Sequence, residues 1–359
     1  MKVFHVVTDK NVGGAGVSAC SLLEFLNKSE IDLGLVVPSE SFLLCFFRYK
    51  KVRIFEIENL SKSFDLISVF KFVCLFLKEK PDLIHTHACL SARIAARLLN
   101  IKIIYTRHWI CDGCFCLFFK IINNFLCDAI IAVSNSTKKS LVDSGISEKK
   151  IKVIYNGIKK VNIHNSKNKK KLKKIYNLES IFTVGCVSRL EKIKNIDIFI
   201  RAAKLFVDKI NSKTKFLIFG EGSQKEHLKN YTDKLNMNNN IVFMGFFKNL
   251  EEVYNLLDVY VLSSNQEALS LSLLEAMSAG CVCISTKCGG PEEIIKNKFN
   301  GLLVEKNNAY EIFLALKKVY NKALTRKKLS IHARNSINKR FSLEKMSEET
   351  LKLYNDILN

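Results

Sequence analysis

Short runs of β-branched and aromatic residues alternate with segments of helical composition along both halves of this chain. In the first half, strand-like runs at 2–7, 33–37, 52–57, 83–85, 101–106, 129–133 and 151–155 are separated by helix-like segments such as 64–78 and 90–99. Runs at 182–187, 216–219, 241–244, 259–262 and 282–285 repeat the pattern in the second half. This alternation predicts parallel sheets with helices on both faces. Such sheets bind ligands beyond the carboxyl ends of their strands, so residues at those ends are the candidates for function.

The length of the chain and one turn signal predict two domains. A chain of 359 residues is long for a single hydrophobic core. Asn156-Gly157 follows the last strand-like run of the first half and is a turn signal. We therefore expect one Rossmann-like domain over residues 1–157 and a second over 158–341. The segment 342–359 has helical periodicity.

A formal net charge of +22 predicts attraction to an anionic surface. The chain has no helix-turn-helix, zinc-finger or RNA-binding sheet motif, so we favour a membrane surface over nucleic acid. The sequence contains no uncharged apolar run of 18 residues, so we predict no membrane span. The apolar run at the N-terminus is too short, and becomes polar too soon, for a signal peptide. We expect a cytoplasmic protein with peripheral contact on the inner face of the cytoplasmic membrane.

Two strongly apolar segments leave two interpretations open. Residues 109–126 read WICDGCFCLFFKIINNFL, and residues 42–47 have the same character and precede several basic residues. Each segment suits either a buried element or a membrane-facing surface of aromatic and aliphatic side chains.

The twelve cysteines are expected to be reduced and mostly buried, because no secretion signal accompanies them. Cys111, Cys114 and Cys116 form the one cluster. It lacks the second pair that a structural zinc site usually has. We therefore predict no metal there.

Several predicted strands end in residues that suit a phosphorylated ligand. Arg189 and Lys194 follow the run at 182–187, and two cations just beyond a strand end suit a diphosphate. Gly13 and Gly14 lie in a glycine-rich loop between the first strand and a helix predicted over about 17–27. That loop is not G-x-G-x-x-G and no acidic residue follows at the ribose distance, which disfavours NAD. His87 and His108 follow two neighbouring strand-like runs.

Glu267 and Glu275 flank the start of a Leu-rich segment that we predict to be helical over 270–279, with Gly280 just past its end. The amino end of that helix, at Ser270 and Leu271, is a site for anions. Glu267 would then lie beside the anion site, and Glu275 further along the helix. This arrangement suits a ligand with hydroxyl groups at both ends and phosphate between them. A nucleotide sugar has this structure. On spacing alone, two glutamates beside such a helix are also typical of solvated helix charges.

The chain resembles a known family in the E-x7-E spacing, LEAM and GGPEE of 267–293, in G-x-x-x-R-L-x-x-x-K-N of 185–195 and in AVSNSTKKSLVDSGI of 132–146. These motifs are similar to those of the retaining family-4 glycosyltransferases, and the similarity extends over nearly the whole chain. It implies the GT-B fold, with two Rossmann-like domains facing each other across a cleft and a C-terminal helix that crosses back to the first domain. It also implies metal-independent transfer of a sugar from a nucleoside diphosphate, UDP or GDP, with no cofactor. The acceptor would be a glycan or a lipid-linked glycan in bacterial surface polysaccharide synthesis.

The resemblance implies roles for particular residues. Glu275 would bind the ribose hydroxyls, Glu267 the donor sugar, and Arg189, Lys194 and the helix end at Ser270 and Leu271 the departing diphosphate. Gly245 and Phe246 would contact the base, and Gly220 would form a turn beneath the nucleotide. Gly13 and Gly14 would face the diphosphate. His108 would contact the transferred sugar, and His87 would lie on the acceptor side.

Two residues depart from the family pattern, and other functions remain to be weighed. Ala268 stands where many relatives have glycine, and Arg107 stands where a small or apolar residue is commoner. A non-catalytic nucleotide-sugar-binding subunit and a basic membrane-associated module are the alternative functions. A glycosyl phosphorylase is disfavoured, because no lysine is placed for pyridoxal phosphate.

Overall fold

The computed structural model describes residues 1–359 except 9–12, 28–29, 42, 45–51, 59, 61–63, 111–116, 162–165 and 248. The chain divides into two compact units. Unit 1 comprises Met1–Lys159 and Phe341–Asn359, and unit 2 comprises Lys160–Arg340.

Unit 1 contains a parallel sheet of seven strands in the order β3-β2-β1-β4-β5-β6-β7. The strands are β1 (Lys2–Val6), β2 (Asp32–Pro38), β3 (Arg53–Ile57), β4 (Leu83–Thr86), β5 (Lys102–Arg107), β6 (Ala129–Ala132) and β7 (Ile151–Val153). Its helices are Gly14–Leu26, Leu66–Glu79, Leu90–Leu98, Leu117–Leu126, Asn135–Asp143 and Leu343–Leu358, with a 3₁₀ turn at Glu148–Lys150. The first six strands have the order 3-2-1-4-5-6 of a Rossmann sheet.

Unit 2 contains a second parallel sheet of six strands in the order β10-β9-β8-β11-β12-β13. The strands are β8 (Thr183–Val187), β9 (Lys215–Phe219), β10 (Ile241–Gly245), β11 (Val259–Leu262), β12 (Val282–Thr286) and β13 (Leu302–Val304). Its helices are Ser166–Ile175, Ile196–Lys209, Lys225–Lys234, Leu250–Leu256, Leu271–Ser278, Pro291–Ile294, Ala309–Asn321 and Ala323–Arg340, with a 3₁₀ turn at Lys192–Lys194. Counted from β8, this sheet has the same order as the first six strands of unit 1. The prediction of two Rossmann-like α/β domains is confirmed.

The strands are apolar along most of their length because helices cover both faces of each sheet. In unit 1, one face packs on the helices Gly14–Leu26 and Leu343–Leu358, and the other on Leu66–Glu79 and Leu90–Leu98. Leu353 and Tyr354 of the last helix lie in the same cluster as Val3 and Leu23. The C-terminal segment is thus helical as predicted and belongs to the core of unit 1.

The glycine-rich segment after β1 differs from its prediction. We expected a loop through Gly13–Gly16 and a helix from about residue 17, but the helix begins at Gly14. Gly16, Ser18 and Ala19 are buried against the rest of unit 1. Close packing therefore overrides the low helix propensity of glycine. A Cβ at Gly16 would lie 3.2 Å from a methyl carbon of Leu43, so a small residue suits this position.

The structure also gives information on the apolar segments and on the cysteines. Within the described residues, no helix has the length and apolar character needed to cross a membrane. Of the eight cysteines that the structure describes, all are free thiols and seven are buried. The Cys111, Cys114 and Cys116 cluster and most of 42–47 lie outside the described residues.

Candidate functional site

The strand order of unit 2 reverses between β8 and β11, which are adjacent in the sheet. In an open parallel sheet, the connections that leave two such strands run to opposite sides and leave a crevice at the carboxyl ends. The segment after β8 carries Arg189 and Lys194, and the segment after β11 carries Glu267. The topology therefore brings residues that are more than 70 positions apart to one sheet edge.

Lys194 and Glu267 form an ion pair at this edge. The Lys194 Nζ lies 2.7 Å from Glu267 Oε1, and the two side chains are only 19% and 10% exposed. Ser264 Oγ donates to the same carboxylate oxygen at 2.6 Å. An ammonium has three donors, so two of those on Lys194 remain for an anion.

The backbone on both sides of this ion pair is tied together. Ser263 Oγ donates to the carbonyl of Lys194 at 3.0 Å, and the amide of Asn265 donates to the carbonyl of Ile193 at 2.9 Å. Glu267 is held further by its amide, which donates to Cys288 O, and by its carbonyl, which accepts from the amide of Gly290. These contacts fix the position of both charged side chains.

Arg189 lies two residues beyond β8 and is exposed. Its guanidinium makes no hydrogen bond or ion pair with any residue that the structure describes, so its donors are open to a ligand. The loop that carries it is fastened to the loop after β9, because Leu190 N donates to Glu221 O at 2.9 Å. Gly220 has φ of 129°, and a Cβ there would lie 1.9 Å from Ser188 O. Only glycine therefore allows this close approach.

The remaining predicted residues of unit 2 lie at neighbouring strand and helix ends. Gly245 ends β10 with φ of 73°, and Phe246 after it is 56% exposed. Ser270 is the N-cap of Leu271–Ser278 and accepts from the amide of Leu273 at 3.3 Å. Ala268 is buried and is not among the described residues with positive φ. Alanine therefore fits this loop without backbone strain.

Glu275 lies on the helix Leu271–Ser278, where it accepts a hydrogen bond at Oε2 from the Tyr254 hydroxyl at 2.8 Å. Burial raises the pKa of Glu275 to about 7, and the hydrogen bond from Tyr254 partly offsets that rise. A carboxyl group with a pKa this high is common at functional sites. Tyr254 has no counterpart in the sequence predictions, because its helix, Leu250–Leu256, lacks a motif and was not predicted.

In unit 1, the two histidines that the sequence singled out are in direct contact. His87 Nδ1 and His108 Nε2 are 2.9 Å apart, and the ring centroids are 5.2 Å apart. Burial lowers the pKa of His108 to about 4 and also lowers that of His87, so both are neutral near pH 7. Gly13 is the N-cap of Gly14–Leu26. His5 joins this cluster from the middle of β1, where the sequence has no distinguishing signal.

Two backbone and side-chain features complete this edge of unit 1. Ala88, next to His87, has φ of 136°, a strained value for alanine that is typical of functional sites. Arg107 donates to the Tyr105 hydroxyl at 3.0 Å, and its guanidinium carbon lies 4.1 Å from the centroid of the Trp109 ring. The unexpected arginine is thus buried and braces the aromatic residues around it.

Comparisons with known proteins agree with this architecture. Residues 12–160 match the family described as Glycosyltransferase Family 4, and residues 167–336 match Glycosyl transferases group 1. The chain is 29% identical to an Escherichia coli UDP-Gal:α-D-GlcNAc-diphosphoundecaprenol α-1,3-galactosyltransferase, over 96% of this chain and 94% of that protein. It is 28% identical to the Staphylococcus aureus capsular polysaccharide glycosyltransferase CapM, over 99% and 97%. Anabaena HepE, solved with UDP-glucose, has a TM-score of 0.89 at 18% identity, covering 99% and 100%.

Proposed function

Because this chain belongs to the family-4 glycosyltransferases of GT-B fold, we propose that it transfers a sugar from a uridine diphosphate sugar to a glycan or lipid-linked acceptor. The observation that carries the proposal is the Lys194–Glu267 ion pair at the strand-order reversal of unit 2. Arg189 precedes Lys194 in the same segment after β8, and its guanidinium has no hydrogen-bond or ion-pair partner among the described residues. HepE was solved with UDP-glucose, and the Escherichia coli relative uses UDP-galactose. These names favour UDP over GDP. Unit 2 would bind the donor and unit 1 the acceptor.

Cationic side chains and a helix end would stabilise the departing diphosphate. Arg189 presents a planar fork of donors that suits phosphate, and Lys194 adds a point charge. The first amides of Leu271–Ser278, beyond Ser270, lack partners within the helix and attract anions. With these three groups in place, we propose that leaving-group departure needs no metal ion.

Glu275 would accept hydrogen bonds from the two ribose hydroxyls, and Glu267, held by Lys194, would orient hydroxyls of the transferred sugar. The backbone at Gly245 and Phe246 would contact the base, above the tight turn at Gly220. These assignments rest on the family resemblance. Glu267, Gly220 and Gly245 also lie at or after the carboxyl ends of strands in the second sheet, whereas Glu275 lies in the second turn of the helix Leu271–Ser278.

In unit 1, His108 would contact the transferred sugar and His87 would lie on the acceptor side, with Gly13 and Gly14 near the diphosphate. We propose that the sugar is transferred with retention of configuration. The bond from the anomeric carbon to the β-phosphate oxygen breaks, and the acceptor oxygen bonds to the same face of that carbon. The acceptor proton passes to the leaving phosphate.

Titration with free nucleotides tests the donor assignment. In buffer that contains EDTA, we expect UDP to bind with a micromolar dissociation constant, and GDP and ADP to bind more weakly. Arg189→Ala should weaken UDP binding by about 10- to 100-fold, because a hydrogen bond to a charged group contributes about 1.5–3 kcal/mol. Isothermal titration calorimetry measures each constant.

The matched control is Lys192→Ala, which removes an exposed cation three residues further along the same loop. Its UDP affinity should equal that of the wild type. Equal and salt-sensitive binding of all three nucleotides would support the basic-module alternative instead. UDP binding with no turnover of any UDP-sugar would support a non-catalytic subunit.

We also propose that unit 1 docks on an anionic membrane surface through the helix Leu66–Glu79. This helix is apolar on both sides. Ser68, Val69, Phe72 and Phe76 are buried in the core, whereas Leu66, Ile67, Phe70 and Leu77 are 58–76% exposed. At 100° per residue, the four exposed side chains occupy one side of the helix. Lys71 and Lys78 flank them, as in helices that lie at a membrane interface.

Besides this apolar side, Ile121 and Phe125 of Leu117–Leu126 are exposed apolar residues of unit 1. Within residues 109–126, Leu126 is buried and Phe125 is 68% exposed, so that segment contributes both to the core and to the surface. The net charge of +22 favours anionic lipid. We did not predict from the sequence that Leu66–Glu79 has an exposed apolar side, because apolar residues occur on both sides of this helix.

Vesicle co-sedimentation tests this docking surface. We expect the wild type to sediment with phosphatidylglycerol vesicles and not with phosphatidylcholine vesicles, and Ile67→Gln/Phe70→Gln to stay in the supernatant. The control, Tyr310→Gln/Leu314→Gln, removes two exposed apolar side chains from unit 2 and should sediment like the wild type. Equal sedimentation of both double variants would contradict the assignment to this helix.

A further inference from the structure

Six side chains of unit 1 form one continuous hydrogen-bonded chain that ends at His108. His85 Nε2 is 2.6 Å from Thr106 Oγ1, and its Nδ1 is 2.5 Å from the Tyr354 hydroxyl. That hydroxyl is 3.1 Å from His5 Nε2. His5 Nδ1 is then 3.3 Å from His87 Nε2, and His87 Nδ1 is 2.9 Å from His108 Nε2. We call this series, in the order Thr106, His85, Tyr354, His5, His87 and His108, the histidine relay.

The four imidazole rings of the histidine relay are neutral near pH 7. Burial lowers the pKa of His5 to about 3 and that of His108 to about 4, and it lowers those of His85 and His87 as well. A neutral imidazole has one N–H donor and one acceptor nitrogen. Because each ring uses one nitrogen toward each neighbour, every hydrogen bond must point the same way along the chain. The tautomers of the four rings are therefore coupled.

The hydroxyl at the far end decides that direction. Thr106 is 5% exposed, and within the described part of unit 1 its Oγ1 has no hydrogen-bond partner except His85 Nε2. If His85 donated to Thr106, the threonine hydroxyl proton would be buried without an acceptor, which is costly. Thr106 therefore donates. His85 then donates to Tyr354, Tyr354 to His5, and so on to His108.

A metal ion bound by His5, His85 and His87 is the competing interpretation of this cluster. One ring nitrogen from each can lie within 4.8 Å of the others. However, both nitrogens of all three rings already have partners in the histidine relay, so an ion would have to displace several hydrogen bonds.

We propose that the histidine relay holds His108 in the tautomer with the proton on Nδ1. His108 then presents a hydrogen-bond donor at Nδ1, which has no partner among the residues that the structure describes. Thr106, His85, Tyr354 and His5 are then positioning residues that act through His87. This inference rests on the proposed function, in which His108 contacts a sugar hydroxyl. It also assigns a role to the C-terminal helix, because Leu343–Leu358 supplies Tyr354 as the link between His85 and His5.

Nitrogen-15 NMR of the full chain with labelled histidine tests the tautomers directly. In the wild type, we expect His5, His85, His87 and His108 to be neutral, each with its proton on Nδ1. Tyr354→Phe keeps the ring and removes the hydroxyl, so His5, His87 and His108 should show mixed tautomers while His85 keeps its own. Thr106→Val should release all four rings. Turnover should fall about 3- to 10-fold in either variant, with UDP affinity unchanged.

Tyr320→Phe is the control, because its hydroxyl accepts one hydrogen bond from Asn211 in unit 2 and lies outside the histidine relay. It should leave every histidine signal as in the wild type. A proton on Nε2 of His108 in the wild type, or an unchanged His108 signal in both relay variants, would overturn the proposal. So would selective shifts of His5, His85 and His87 on addition of one equivalent of Zn²⁺. UDP titration tests the proposed function separately from the NMR experiment. Failure of the relay proposal can therefore be distinguished from failure of the proposed function.

Discussion

Replacement of Lys194 by glutamine is expected to lower kcat/KM by about 10²- to 10³-fold. Removal of one preorganised donor from developing negative charge costs about 2.7–4 kcal/mol in the transition state. The same substitution removes the cation that pairs with the buried Glu267 carboxylate and leaves the hydrogen bond from Ser264 Oγ. Breaking a buried ion pair on one side destabilises a protein by about 3 kcal/mol. Lys194→Gln should therefore lose both activity and thermal stability.

The double variant Lys194→Gln/Glu267→Gln separates these two effects. With both charges removed, no carboxylate is left unpaired, so most of the lost stability should return in a calorimetric scan. Activity should stay low, because the charge that faces the diphosphate is still absent. Return of activity together with stability would mean that the ion pair is only structural. Lys192→Gln, the nearby exposed cation, should leave both properties at the wild-type level.

The strand ends of unit 2 were predictable from the sequence, whereas the contacts made there were not. Hydrophobic runs and the polar residues after them identify where each strand stops, which is how Arg189, Lys194 and Glu267 were found. The sequence does not state that β8 and β11 are neighbours. That adjacency alone brings Lys194 within 2.7 Å of a glutamate 73 positions away. It depends on tertiary pairing, not on local propensity.

The unpredicted parts of unit 1 have a similar cause. His5 lies within a strand whose sequence resembles an ordinary buried run, and Tyr354 lies 349 residues later on a helix with ordinary periodicity. Neither has a motif, and only the packing of Leu343–Leu358 on the sheet places them in contact. The start of the first helix at Gly14 was missed for a related reason, since burial of Gly16 and Ala19 outweighs the propensity on which the prediction depended.

Glu275→Gln is expected to reduce UDP affinity by about 10- to 100-fold at pH 8 and to leave only the pH dependence of the UDP phosphate itself, whose pKa is about 6. In the free protein the pKa of Glu275 is about 7, so the carboxyl is largely protonated at pH 6 and ionised at pH 8. Two ribose hydroxyls that donate to the carboxylate favour its ionised form and lower its pKa on binding. The wild type should therefore release a proton when UDP binds at pH 6. Its affinity should rise up to about pH 7 and stay constant above.

Calorimetric titration at pH 6 and pH 8, in buffers of different ionisation enthalpy, measures both the affinity and the released proton. 2′,3′-Dideoxy-UDP is the ligand control, because it cannot donate to Glu275. At pH 6 it should release only the proton of its own terminal phosphate, whose pKa is about 6, and therefore fewer protons than UDP. Tyr254→Phe removes the hydrogen bond that lowers the pKa of Glu275, so the inflection in affinity should move to higher pH. A wild-type affinity that is flat from pH 6 to pH 8 would contradict the ribose assignment.

The effect of Glu275→Gln on stability has the opposite sign to its effect on binding. Because the folded-state pKa of Glu275 lies above the ordinary value of 4.5, ionising this buried carboxyl destabilises the fold as pH rises from about 4.5 to about 7. A neutral glutamine avoids that penalty, so the variant should unfold at a higher temperature than the wild type at pH 8 and at a similar temperature near pH 4. Weaker UDP binding by a more stable protein would show that this carboxylate is kept for its ligand rather than for the fold.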